Sequence, residues 1–178
     1  MAFGLFACTP VTQNTDKNKG NTNQNTNINS TNATYEVIKV VPEEVFNTFS
    51  EKYPNAKIRE LALDFENGSY IYEVEGYDAK KKYNIKINPI DGKILQEEQD
   101  TQNSNDKKEE ITLEDVNKIQ DLIDRTLKDV GNDYKIEEWA LKSNNGQIIF
   151  EIEVVNDNYH EIEYKYDVNN DELIEKDK

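Results

Sequence analysis

The 178-residue sequence predicts an α+β fold built as two tandem repeats, each one helix packed on an antiparallel β-sheet of three to four strands. Three observations carry this expectation. Segments such as YIYEVEGY (70–77) and KYNIKI (82–87) alternate apolar and polar residues with the period of two that a half-buried strand requires. A stretch of helical spacing precedes each group of such segments. Finally, KIRELALDFENGSYIYEVE (57–75) lines up with KIEEWALKSNNGQIIFEIE (135–153) at a constant offset of 78 residues, the mark of an internal duplication.

The elements follow in chain order. Residues 1–8, MAFGLFAC, are apolar up to Cys8 and polar immediately after it, and form a segment apart. Residues 9–34 are dominated by Asn and Thr. With so little to bury they cannot offset their ordering entropy, and they are expected to form a disordered leash. The first repeat spans 35–97. Val41, Val45, Phe46 and Phe49 fall at helical spacing and Pro42 suits a first helical turn, so a helix is expected over 42–52, stopped before Pro54. Strands are expected at 57–65, 70–77, 82–88 and 93–97, joined by turns at Asn67-Gly68, Asp78 to Lys80 and Pro89 to Gly92. Gly68 and Gly92 supply positive φ, and Asp91 bonds its own backbone beside Gly92. Alternation places Tyr70, Tyr72 and Val74 on one face and Ile71, Glu73, Glu75 and Tyr77 on the other.

Residues 98–110 read as a charged linker without periodicity, and 111–178 as the second repeat. Thr112 and Asp115 resemble a capping box opening a helix over 112–130, with Val116, Ile119, Ile123, Leu127 and Val130 inward. Gly146 marks the turn matching Gly68, and Trp139 stands in the place of Leu61, expected to face the helix. Units of this size are marginal alone, so the two are expected to pack together or lean on a partner.

Composition excludes several function classes. The net charge of −15, carried mostly by residues 101–178, opposes nucleic-acid binding and electrostatic docking on an anionic bilayer. Cys8 is the only cysteine, so no internal disulfide can form. No apolar run approaches the roughly 18 residues of a membrane-spanning helix. The single histidine, His160, sits in the polar stretch NDNYHEIE with no serine near it, which leaves nucleophilic catalysis without a base. The pairs Glu73/Glu75 and Glu151/Glu153 could do acid–base work only if buried, and a solvent-facing strand side explains them better. In the tail, Asp167, Asn169 and Asp171 have the spacing of calcium-loop positions one, three and five. Glu172 replaces the loop's glycine and Lys178 its closing glutamate, so no metal site and no cofactor are expected.

Two resemblances add to this reading. Leu5-Phe6-Ala7-Cys8 is similar to a bacterial lipobox. That resemblance implies that residues 1–8 are the truncated remnant of a lipoprotein signal, with a lipidated Cys8, a protein held on the outer side of the cytoplasmic membrane, and membrane contact only through the anchor. Residues 9–34 would then give a standoff of roughly 25–30 Å. Only seven residues precede Cys8 and none is basic, so further basic and apolar residues are expected upstream in the native gene. Tyr72, Val74, Gly76, Tyr83, Ile85, Ile87, Asp91, Gly92 and Ile94 together carry a pattern that resembles the PepSY domain, found in propeptides of thermolysin-like proteases and in bacterial surface lipoproteins. In the second repeat Asn170-Asp171 replaces the closing Asp-Gly. The resemblance implies a non-enzymatic role, with no catalytic residue: binding a protein, a secreted peptidase being the family's example. The candidate binding face is Glu73, Glu75, Tyr77, Glu151 and Glu153. An envelope spacer lipoprotein without a specific ligand remains the alternative.

Overall fold

The structure, a computed structural model, describes residues 37–101 and 110–178. Cys8, the 9–34 leash and most of the expected linker lie outside the described residues.

Helix α1 (Pro42–Lys52) opens on Pro42, carries Glu43 and Glu44 in its first turn and Lys52 in its last, and so matches the helix dipole at both ends. Its Val45 and Phe49, four residues apart, are fully buried. Then come β1 (Lys57–Glu66), β2 (Ser69–Tyr77), β3 (Lys81–Ile87) and β4 (Ile94–Thr101). The β1–β2 turn has φ of 50° at Asn67 and 81° at Gly68, the primed geometry whose twist suits a two-residue hairpin. Beyond residue 110, α2 (Leu113–Val116) and α3 (Ile119–Val130) lead to β5 (Tyr134–Asn144), β6 (Gln147–Asn156), β7 (Glu161–Asp167) and β8 (Glu172–Asp177). Asn145 and Gly146 repeat the hairpin geometry, at 50° and 88°.

The expectation of two units with separate three- to four-stranded sheets is overturned. All eight strands belong to one antiparallel sheet in the order β4-β3-β2-β1-β5-β6-β7-β8. The join is between β1 and β5, where Leu61 faces Leu141, Ala62 faces Ala140 and Leu63 faces Trp139. In a separate unit each of these strands would be an open edge of unpaired N–H and C=O groups, and pairing them removes both edges. The registers of the two halves keep the 78-residue offset: β1 bulges between Ile58 and Glu60 against β2, and β5 bulges between Ile136 and Glu138 against β6.

Two element boundaries also differ. The expected helix over 112–130 is broken at Asn117-Lys118, where the Lys118 N–H bonds the Asp115 carbonyl three residues back, in place of the α-helical four. Strand β4 continues through residues 98–101, which the sequence assigned to the linker.

Among the described residues, one apolar core lies on one face of the sheet. Phe49 of α1 reaches Gly76, and the Tyr72 hydroxyl donates to the Val40 carbonyl. On the same face α3 meets the second half, Thr126 bonding the Tyr166 hydroxyl at 2.9 Å and Asp129 accepting from the Tyr164 hydroxyl at 2.6 Å. The core is continuous across the join. Trp139, 2 % exposed and facing the helices as expected, meets Tyr72 edge-on with ring centroids 6.0 Å apart. The Tyr70 hydroxyl donates to the Ile136 carbonyl at 2.8 Å, and the Ile111 N–H to the Ile58 carbonyl at 2.9 Å.

Candidate functional site

The opposite face of the sheet carries the polar side chains. Strand pairing sets Gln96, Lys86, Glu73, Ala62, Ala140, Glu151, Lys165 and Glu175 in one row across all eight strands. Because residues two apart share a face, Glu75, Tyr77 and Glu153 lie on this side too. The structure therefore brings all five candidate face residues to one surface.

They do not stand in equivalent surroundings. Glu75 is 8 % exposed, and the Arg59 guanidinium and the Lys82 ammonium both pair with it, Lys82 at 2.5 Å. The expectation of a solvent-facing carboxylate fails there, because the bulge at Arg59 turns a cation onto it. Glu73 accepts from the Asn84 amide and stands 3.6 Å from the Lys86 ammonium, which also bonds Glu66 at 2.8 Å. Tyr77 is half-buried at the end of β2. Glu151 receives Lys142 at 3.0 Å and Lys165 at 4.0 Å. Glu153 has a different setting: burial first, then the charges of Glu137, Glu161, Glu138 and Glu163, push its carboxyl up to about 7. Burial and Glu161 raise Glu137 as well. Near the join, burial and the charge of Glu73 push Asp64 up to about 6.

A depression of about 100 Å³ opens beside Ala140, bordered by Glu60, Asp64, Glu138, Lys142 and Glu153. Two carboxylate triples bring their oxygens within 4.8 Å of one another: Asp64, Glu66 and Glu73, and Glu137, Glu153 and Glu161. In the first, Lys86 already supplies a cation to Glu66 and Glu73.

Arg59, Lys82, Asp64, Glu137 and Glu161 neighbour the candidate face, and the sequence does not single them out. One signal for them was present, since Arg59 and Glu137 are a charge reversal inside the aligned segments.

The turn residues do structural work. Asp91 accepts from the Lys93 N–H at 3.2 Å and from its ammonium at 2.6 Å, with Gly92 at φ 70°. In the calcium-like tail, Asp167 is buried and accepts from the backbone N–H of Asn169 and Asn170 and from the side chains of Asn170 and Gln147. These bonds hold its carboxyl below the usual range and spend its oxygens on the turn. His160 is exposed on the β6–β7 turn, where the Asn156 side chain caps its N–H.

The continuous segment from α1 to β4 holds every residue of the aromatic–aliphatic pattern, ending in the Asp91-Gly92 turn and the start of β4. Residues 39–98 match the family model described as peptidase propeptide and YPEB domain, PepSY. The PepSY match runs through α1, β1, β2 and β3 and ends within β4. No curated protein matches the chain. Among solved structures, the fold resembles that of a putative lipoprotein from Clostridium difficile 630, with a TM-score of 0.60 and 21% identity over 79% of this chain and 93% of that one. A likeness of that extent takes in both halves of the sheet, beyond the PepSY match. Among the described residues, no helix is long and apolar enough to cross a membrane.

Proposed function

We propose that the protein is a non-catalytic, lipid-anchored surface protein whose outer sheet face binds another protein, an extracellular or envelope peptidase being the partner class. The observation that carries this is the surface itself: helices α1 and α3 pack on one face of the sheet, and the other gathers Glu73, Glu75, Tyr77, Glu151 and Glu153. The propeptide description of the PepSY match supports a regulatory role toward peptidases. The LFAC sequence at Cys8, and the lipoprotein name of the structurally similar protein, support a lipid anchor on the outer side of the cytoplasmic membrane. The sheet's outermost strands, β4 and β8, offer a second mode, since an exposed edge accepts an extended segment through main-chain hydrogen bonds.

One observation favours a spacer without a specific ligand: Glu75, Glu73 and Glu151 already have cations of the chain's own on them. The two readings separate by experiment. The 35–178 fragment is mixed with the host's secreted peptidases, binding is measured by calorimetry, and inhibition by peptide cleavage. Binding with slowed cleavage supports the proposal, and absence of binding to any of them leaves the spacer. Hydrolysis by the fragment itself would sink both. Anchoring is tested separately, by whether Cys8→Ser releases the full-length protein from the membrane fraction.

A further inference from the structure

At matching positions the two halves of the outer face carry opposite charge arrangements. In the first half, Glu75 faces Glu60 across β1 and Asn84 across β3; Arg59, the extra residue of the β1 bulge, and Lys82 of β3 clamp it. In the second half Glu153 holds the corresponding place, facing Glu138 across β5 and Glu163 across β7. The extra residue of the β5 bulge is Glu137, and Glu161 stands opposite Val155 as Lys82 stands opposite Tyr77. Two cations in one half are thus two carboxylates in the other, and Glu137, Glu153 and Glu161 crowd their oxygens within 4.8 Å of one another.

Charged groups reach this cluster from two strands. From β5 come Glu137, Glu138 and Lys135, whose ammonium is 3.4 Å from Asp157; from β7 come Glu161 and Glu163, with Lys165 shared among Glu163, Glu151 and Glu175. Helix α3 lies against the other face. Like charges this close, partly withdrawn from water, disfavour full ionisation, and the simplest relief is a proton.

We propose that the Glu137–Glu153–Glu161 cluster is a proton-operated stability switch: proton uptake on acidification tightens strands β5 to β7, and proton loss toward alkaline pH loosens them. The sign follows from linkage. Glu153 keeps its proton up to about 7 in the fold, whereas the unfolded chain releases it in the ordinary glutamate range. The folded state therefore binds more protons between those limits. Its extra stability is complete at the acid end of the window and is lost as pH rises through about 7.

The test uses the purified chain in a metal chelator, with melting temperature and hydrogen exchange followed from pH 5 to 8.5. The expected result is a melting temperature that falls as pH rises, with exchange protection lost in β5 to β7 before β1 to β3. Glu153→Gln removes the part of the slope centred on about 7, while Asp64 of β1, pushed up to about 6, keeps the part below it. Glu137→Arg with Glu161→Lys, which copies the clamp of the first half, removes the same part while keeping Glu153. Glu75→Gln leaves it in place. Should the double variant fail to fold, the isosteric Glu153→Gln and a side-chain NMR titration of the wild type decide. A Glu153 carboxyl that titrates at the ordinary glutamate value overturns the proposal, as does a slope through pH 7 that Glu153→Gln leaves unchanged. Stabilisation by added calcium at pH 8 that exceeds the effect of acid, and that Glu153→Gln abolishes, assigns the cluster to a divalent cation and overturns it equally.

Discussion

Gly76 marks the tightest contact between helix and sheet. A Cβ there would stand 2.3 Å from Phe49 Cζ and 2.8 Å from the Lys57 carbonyl oxygen, so the position needs the absence of a side chain. Gly76→Ala is expected to destabilise the protein by about 1–3 kcal/mol, read from urea denaturation. In a double-mutant cycle, Phe49→Leu recovers only part of that loss, because the carbonyl contact with Lys57 remains. The Gly76 requirement was readable in the sequence as part of the PepSY pattern, though its cause was not, since nothing local says which ring lands on it. A second residue-scale expectation concerns acid. Hydrogen bonds from the Tyr53 hydroxyl and the Lys52 ammonium hold Glu97 down to about 2. Its contribution is present above the ordinary glutamate range and is lost as pH falls toward 2, opposite in sign to Glu153. Tyr53→Phe is therefore expected to move the Glu97 titration upward in an NMR pH series, with the Lys52 ammonium and the Gln99 amide left to depress it.

At the scale of elements, legibility followed the presence of a buried face. The hairpin strands β1, β2 and β3 alternate because one side meets the core, and their turns carry Asn-Gly and Asp-Gly where φ is positive. Asp171 at φ 55° takes the place that Gly92 holds at 70°, which the sequence registered as a departure and which the left-handed tolerance of Asp accommodates. The sequence pattern ends the fourth strand at residue 97 because QEEQDT has no alternation. An exposed edge strand needs none, and backbone pairing with β3 carries it to Thr101. The helix break is not legible for a different reason: the apolar stripe runs through it, while the Lys118 side chain there is held by the Val168 carbonyl, 50 residues away. The capping box ahead of the break was legible. The Thr112 hydroxyl and N–H both donate to the Asp115 carboxylate, at 2.6 and 2.9 Å. Thr112→Ala is expected to cost about 1 kcal/mol, and thermal melts of Thr112→Ser should show most of it retained.

For the whole molecule, the deciding contact is the β1–β5 join, and no local pattern announced it. The 78-residue offset located corresponding strands, but an alignment does not say whether first strands pair with each other or remain edges. Ala62 against Ala140 looks like two unremarkable small residues until the register is known. Once the halves share a sheet and a core, they should unfold together. Trp139 of β5 packs on Tyr72 of β2 and on Phe150 of β6, so its fluorescence reports on both halves at once. We expect one transition in urea, coincident by Trp139 fluorescence and far-ultraviolet circular dichroism, as two-state behaviour requires. Trp139→Ala removes a fully packed ring at the join and is expected to lower stability by about 3–5 kcal/mol while keeping a single transition. Trp139→Phe separates packing from hydrogen bonding. The indole Nε1 is buried without a hydrogen-bond partner, so the substitution removes an uncompensated donor along with part of the ring. It should therefore cost well under half of what Trp139→Ala costs. Two transitions in the wild type, or a Trp139→Ala variant whose first half melts as before, would show that the shared sheet does not couple the halves.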